Sequence, residues 1–67
     1  MKWTLKALRI NNSLKQEEAA KKLEISTSTL ASWENGRTFP NAMEIRKIMI
    51  LYSVSYDDII FLPHKTV

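Results

Sequence analysis

The chain has one glycine, Gly36, and two prolines, Pro40 and Pro63, so it can break regular structure at few places. Between these breakers the apolar residues recur at helical spacing rather than in alternation. β-branched residues are scattered, and Asn35-Gly36 follows a helical pattern instead of joining two alternating runs. An all-α fold is therefore expected: a compact bundle of five short helices. Trp3, Leu5, Leu8 and Ile10 predict a first helix over about 3–11, ending at Asn11-Asn12-Ser13. Ala19, Ala20 and Leu23 predict a second over about 16–23, with Glu17/Lys21 and Glu18/Lys22 as i,i+4 pairs on its exposed side. Ser26 is a good N-cap for a third over about 27–35, with Leu30 and Trp33 inward and Gly36 closing it. Asn41 and Glu44 have capping-box spacing for a fourth over about 42–52, with Ile45, Ile48, Met49 and Tyr52 inward. Ser55 and Asp58 repeat that spacing for a short fifth helix over about 56–62, stopped by Pro63. Residues 1–63 then make one domain and 64–67 a frayed tail.

A 67-residue domain buries only about 60% of its unfolded-chain surface, so its stability is expected to be marginal. The chain has no cysteine and a single histidine, His64, so neither a disulfide nor a structural metal reinforces it. Packing, capping and association must do so. The start, Met1-Lys2-Trp3-Thr4-Leu5-Lys6, carries charges where a signal peptide would be apolar. The apolar stretch Ile45 to Leu51 is broken by Arg46 and Lys47, and is far short of the ~20 residues a membrane helix needs. A cytoplasmic location with no membrane contact is expected. The formal net charge of +3 permits nucleic acid or another anionic surface as a partner without choosing between them. No catalytic constellation is visible. Glu17-Glu18 and Asp57-Asp58 fall in first turns, where negative charge is favourable in itself, and His64 stands alone in the tail. No enzyme activity, cofactor, metal or small-molecule substrate is expected.

The segment from Gln16 to Asn35 is two short helices joined by a tight turn, with Ala20 small enough to let them cross closely. Leu14-Lys15-Gln16-Glu17-Glu18-Ala19-Ala20-Lys21-Lys22-Leu23, then Ile25-Ser26, then Leu30-Ala31-Ser32-Trp33-Glu34-Asn35-Gly36-Arg37 and Pro40 resemble the phage-repressor and Cro (XRE-type) helix-turn-helix family. The resemblance runs from about Leu5 to Ile60, and its most specific part is the Trp-Glu-Asn-Gly-Arg run with Pro40 following. It implies a sequence-specific transcriptional regulator, expected to be a repressor, that binds double-stranded operator DNA as a homodimer with its third helix in the major groove. Carried over by position, Thr27, Ser28 and Ser32 would read bases, and Lys15, Gln16, Ser26, Asn35 and Arg37 would hold phosphates. Arg9 and Glu34 match positions that the family often pairs as a partly buried salt bridge.

Independent physical reasons support these placements. Ser28 and Ser32 are one helical turn apart and point the same way, opposite to Leu30 and Trp33. Gln16 opens a helix whose N-terminal N–H groups suit a phosphate. Three positions depart from the family pattern. Glu24 stands where the turn often has glycine, which costs ~1 kcal/mol if the backbone is left-handed there. Lys15 replaces the usual Ser or Thr cap, so the capping box is expected to be lost. Ser13 stands where a glycine often ends the first helix, so Asn12 is expected to turn left-handed instead.

Ile59, Ile60, Phe61 and Leu62 are four consecutive apolar residues that one helix cannot bury together. They are expected to supply a two-fold dimer patch. The alternative function is a protein-interaction module, an antitoxin or antirepressor, using the same patch. If the sequence is complete, no sensor or self-cleaving domain is expected, and regulation is expected to come from concentration, a competitor or a partner on the last helix. Thr27, Ser28, Ala31 and Ser32 are all small, and none makes the two-pronged contact of arginine to guanine or glutamine to adenine. DNA shape and single hydroxyl contacts must then carry specificity. Selection from random duplex DNA should return a consensus with few strongly fixed base pairs under residues 27–32; several fixed pairs there would contradict this.

Overall fold

A computed structural model describes residues 2–61; the expectations for Leu62, Pro63 and the 64–67 tail lie outside the described residues. The elements in order are β1 (Trp3–Thr4), α1 (Leu5–Asn11), α2 (Gln16–Leu23), α3 (Thr27–Glu34), α4 (Ala42–Tyr52), a 3₁₀ turn (Tyr56–Asp58) and β2 (Ile59–Ile60). The fold is mostly helical, as expected, but two segments differ. Trp3 and Thr4 are extended, and Thr4 Oγ1 caps α1 by accepting the Ala7 N–H at 3.1 Å. The expected fifth helix is a single 3₁₀ turn followed by a strand. Pro63 disfavours helix at the residue before it, and the β-branched pair Ile59-Ile60 prefers extended backbone. β2 pairs in parallel with β1, with Trp3 opposite Ile59 and Thr4 opposite Ile60.

Four helix ends close alike. In each, the first residue past a left-handed one donates its N–H to a carbonyl five residues back. These bonds are Leu14 to Arg9, Ile25 to Ala20, Arg37 to Ser32 and Val54 to Met49, at 2.9–3.1 Å. The left-handed residues are Ser13, Glu24, Gly36 and Ser53, with φ between 54° and 75°. Glu24 therefore takes the conformation that the turn demands of a glycine. Asn12 does not turn left-handed: its φ is −94°, and its side-chain amide donates to the Leu8 carbonyl at 2.7 Å. Ser13 turns instead, because that places Leu14 where it packs against the core. Ile25 and Val54 pack in the same way after their own turns.

The core is Leu5, Leu8, Ala19, Ala20, Leu23, Leu30, Trp33, Ile48, Tyr52 and Ile59. Ala19 and Ala20 are fully covered, which lets α3 cross α2 closely. One ion pair borders this core. Arg9 Nε donates to Glu34 Oε2 at 2.7 Å and Arg9 Nη2 to Glu34 Oε1 at 3.2 Å, joining α1 to the end of α3. The two side chains are 12% and 4% exposed. Arg9 Nη1 also donates to the Leu14 carbonyl at 3.0 Å. Tyr52 is 6% exposed, and its hydroxyl makes no hydrogen bond among the described residues. Burial, reinforced by the charge of Glu34, pushes this phenol up to about 12.

Two predictions follow from this packing. Glu34→Ala leaves the Arg9 charge nearly buried and unmatched, which costs about 3–5 kcal/mol, a large share of a small domain's stability. Its thermal unfolding midpoint should fall sharply; a melt like the parent's would contradict a structural role for the pair. The fold favours neutral Tyr52, so this contribution is intact below pH ~10, the unfolded phenol's range, and is lost as pH rises through about 12. Tyr52→Phe should show a smaller loss of stability across that window, read by urea unfolding at pH 9, 10 and 11.

Candidate nucleic-acid interface

The turn between α2 and α3 aims one face of α3 outward. Leu30 and Trp33 are buried, Thr27 and Ser28 are exposed, and Ala31 and Ser32 are half-covered. Low-volume residues thus line the outer face, so another surface can come close to the α3 backbone. Ser26 caps α3, its Oγ accepting the Thr29 N–H at 3.1 Å. The same Oγ lies 2.8 Å from Thr29 Oγ1 and 3.3 Å from Ser28 Oγ. The hydroxyls therefore serve the cap as well as facing solvent, and Ser28 is only partly free for another contact. Thr29 is the capping partner that sequence reasoning passed over; a third hydroxyl residue within one turn of Ser26 was its signal.

At the start of α2, Lys15 is exposed and Gln16 half-covered. Half of the capping box survives: Glu18 Oε1 accepts the Lys15 N–H at 2.8 Å, whereas the lysine side chain has nothing with which to accept in return. The amides of Gln16 and Glu17 stand in the first turn, ahead of the helix ladder that starts with Ala19 N–H to Lys15 C=O. The Gln16 side chain turns toward the ion pair, and its Nε2 donates to Glu34 Oε1 at 3.2 Å. Two residues assigned separately from sequence, a phosphate ligand and a salt-bridge acid, are thus in contact.

Past α3, Asn35 and Arg37 are exposed. Arg37 follows the left-handed Gly36, whose φ is 75°. The guanidinium of Arg37 and the ammonium of Lys15 form no ion pair among the described residues. Lys47, by contrast, pairs with Glu24 at 2.8 Å, and this holds the Glu24 carboxyl below its usual range.

The four apolar residues at the end separate. Ile59 is 7% exposed and paired with Trp3, so it belongs to the core and not to a surface patch. Ile60 points the other way, as alternation along a strand requires, and is 40% exposed. Phe61 is half-covered, its ring centroid 6.0 Å from that of Tyr56. Leu62 lies outside the described residues. Phe39, Pro40, Ile45, Tyr56 and Phe61 line a shallow open groove of about 270 Å³. Among the described residues no helix is long and apolar enough to cross a membrane.

No solved structure matches the chain. A curated relative, the HTH-type transcriptional activator BcrR of Enterococcus faecalis, is 32% identical over 56 residues. That match takes in 84% of this chain and 28% of the relative, so the chain spans little more than a quarter of that protein. A helix-turn-helix family model matches residues 5–59. The matched region runs from the first residue of α1 to the first residue of β2 and takes in the turn between α2 and α3: the chain belongs to the XRE-type helix-turn-helix family.

Proposed function

We propose that the chain is a DNA-binding transcriptional regulator that lays α3 in the operator major groove. The observation that carries this reading is Arg37. Three of the four helix ends pack a half-buried apolar residue, Leu14, Ile25 or Val54, against the core directly after the left-handed turn. The end of α3 places an exposed arginine at the corresponding position. A cation that replaces a core plug, held by its backbone and unpaired among the described residues, suits a phosphate. Lys15, Gln16, Ser26 and Asn35 are proposed to share the phosphate contacts, and Thr27, Ser28 and Ser32 to face the bases.

The bound form is proposed to be a homodimer. Exposed Ile60, and Phe61 in the groove it lines with Phe39 and Tyr56, are the contact surface left once Ile59 is counted in the core. Two copies would set half-sites about 34 Å apart. Occupation of a promoter by such a dimer represses without any further contact. The relative named as an activator supports an alternative, in which the position of the site sets the sign of regulation.

Selection from random duplex DNA, followed by binding at two salt concentrations, tests the reading. Affinity should fall steeply with salt. Arg37→Ala and Lys15→Ala should each weaken binding by a similar factor on every sequence and lower the salt slope by about 1. An unchanged slope would remove that residue from the phosphate contacts. Absence of any enriched sequence and of any salt-dependent affinity would overturn the proposal.

A further inference from the structure

The ion pair carries a third partner that its own neutralisation does not require. Glu34 already receives two bonds from Arg9, yet Oε1 also accepts from the Gln16 amide at 3.2 Å. A carboxylate paired with a guanidinium only accepts, so the amide must meet it through nitrogen. This fixes the orientation of the amide: Gln16 Oε1 is turned away from Glu34, and a single N–H remains uncommitted to it. The anchor is itself held from behind, because Arg9 also donates to the Leu14 carbonyl, two residues before Gln16. Three side chains thus run in series from α1, through the last residue of α3, to the first residue of α2.

We infer that Glu34, held by Arg9, is a positioning residue for DNA binding: it holds the Gln16 amide so that its second N–H meets a phosphate oxygen. The inference rests on the DNA-binding reading above. An unanchored glutamine samples many rotamers and offers oxygen as readily as nitrogen, and a phosphate accepts only from nitrogen. Holding the side chain beforehand removes the ordering cost that binding would otherwise carry. The same network ties the N-terminus of α2 to the far end of α3, so the two helices present their contacts in one fixed relation.

The test separates positioning from mere stability. Arg9→Met combined with Glu34→Leu replaces the ion pair by apolar side chains, a change that often leaves stability intact or raises it. It removes the anchor of Gln16 without leaving a buried charge. This double variant, Gln16→Ala, the triple variant and the parent are compared on the selected duplex, after thermal melts confirm folding. Expected is a loss of about three- to tenfold in affinity for Gln16→Ala and for the apolar pair alike, with no further loss in the triple variant. Parent-like binding by the apolar pair would overturn the inference, as would losses that multiply in the triple variant, or no loss for Gln16→Ala. Absence of salt-dependent binding by the parent would overturn the DNA reading itself, and this inference with it.

A second measurement needs no variant. In the parent's NMR spectrum, one Gln16 side-chain amide proton should be shifted by Glu34 and stay in place when duplex is added, while the other moves. Two averaged amide protons, neither of which moves, would overturn the inference.

Discussion

A charged pair at the edge of a small core is tolerated only when every direction around it is answered, and that requirement shapes much of this molecule. Arg9 and Glu34, 25 residues apart in sequence, come from different helices and meet in a two-pronged contact. The third arm of the guanidinium takes the Leu14 carbonyl, and the remaining demand of the carboxylate is met by Gln16. The loop between α1 and α2 is thereby pinned from inside, and α3 is fixed at its end. Tyr52 from α4 is covered close enough to feel both charges, and its hydroxyl makes no hydrogen bond among the described residues. Retaining that hydroxyl where a phenylalanine would fit is one of the few local inconsistencies in the packing.

The repeated helix ending is the second organising device. Each left-handed turn redirects the chain sharply, and at three of the four the following side chain packs against the core, so short loops suffice and little chain is left without structure. Three of the four turns use serine or glutamate where glycine would be less strained, at roughly 1–2 kcal/mol each. Glycine is kept at Gly36 alone, the turn that precedes an outward-facing arginine rather than an apolar residue packed on the core. At the other three the packed residue that follows helps hold the strained backbone in place.

The sequence made most of the helices legible, because capping and periodicity are local signals. The bounds of α2 and α4 and the inward positions of Leu30, Trp33, Ile48 and Tyr52 agree with it. Ser13 and Ile59 were not legible in the same way. Whether Asn12 or Ser13 turns left-handed depends on which choice buries Leu14, a tertiary question. Whether Ile59 and Ile60 prolong a helix or form a strand depends on Trp3, at the other end of the chain. The contact between Gln16 and Glu34 was hidden for a related reason: each residue had a sufficient local role, and only the crossing of α2 and α3 brings them together. At the candidate interface, exposure of Thr27, Ser28, Asn35 and Arg37 agrees with the sequence pattern, whereas what each would touch belongs to a complex.

The small parallel pairing of β1 with β2 joins residue 3 to residue 59, so it closes nearly the longest loop this chain can make. Contacts between successive helices form across short stretches and need little loop-closure entropy; this one needs the most and returns only two residues of ladder. The helices that frame the outer face of α3 can therefore assemble before the ends of the domain meet. Opening of the strand pair is then a separate, low-energy fluctuation, and it would uncover Trp3 and Ile59 while leaving the Arg9–Glu34 contact closed. Hydrogen exchange would divide the domain along that seam, with the ends fast and the crossing of α2 and α3 slow.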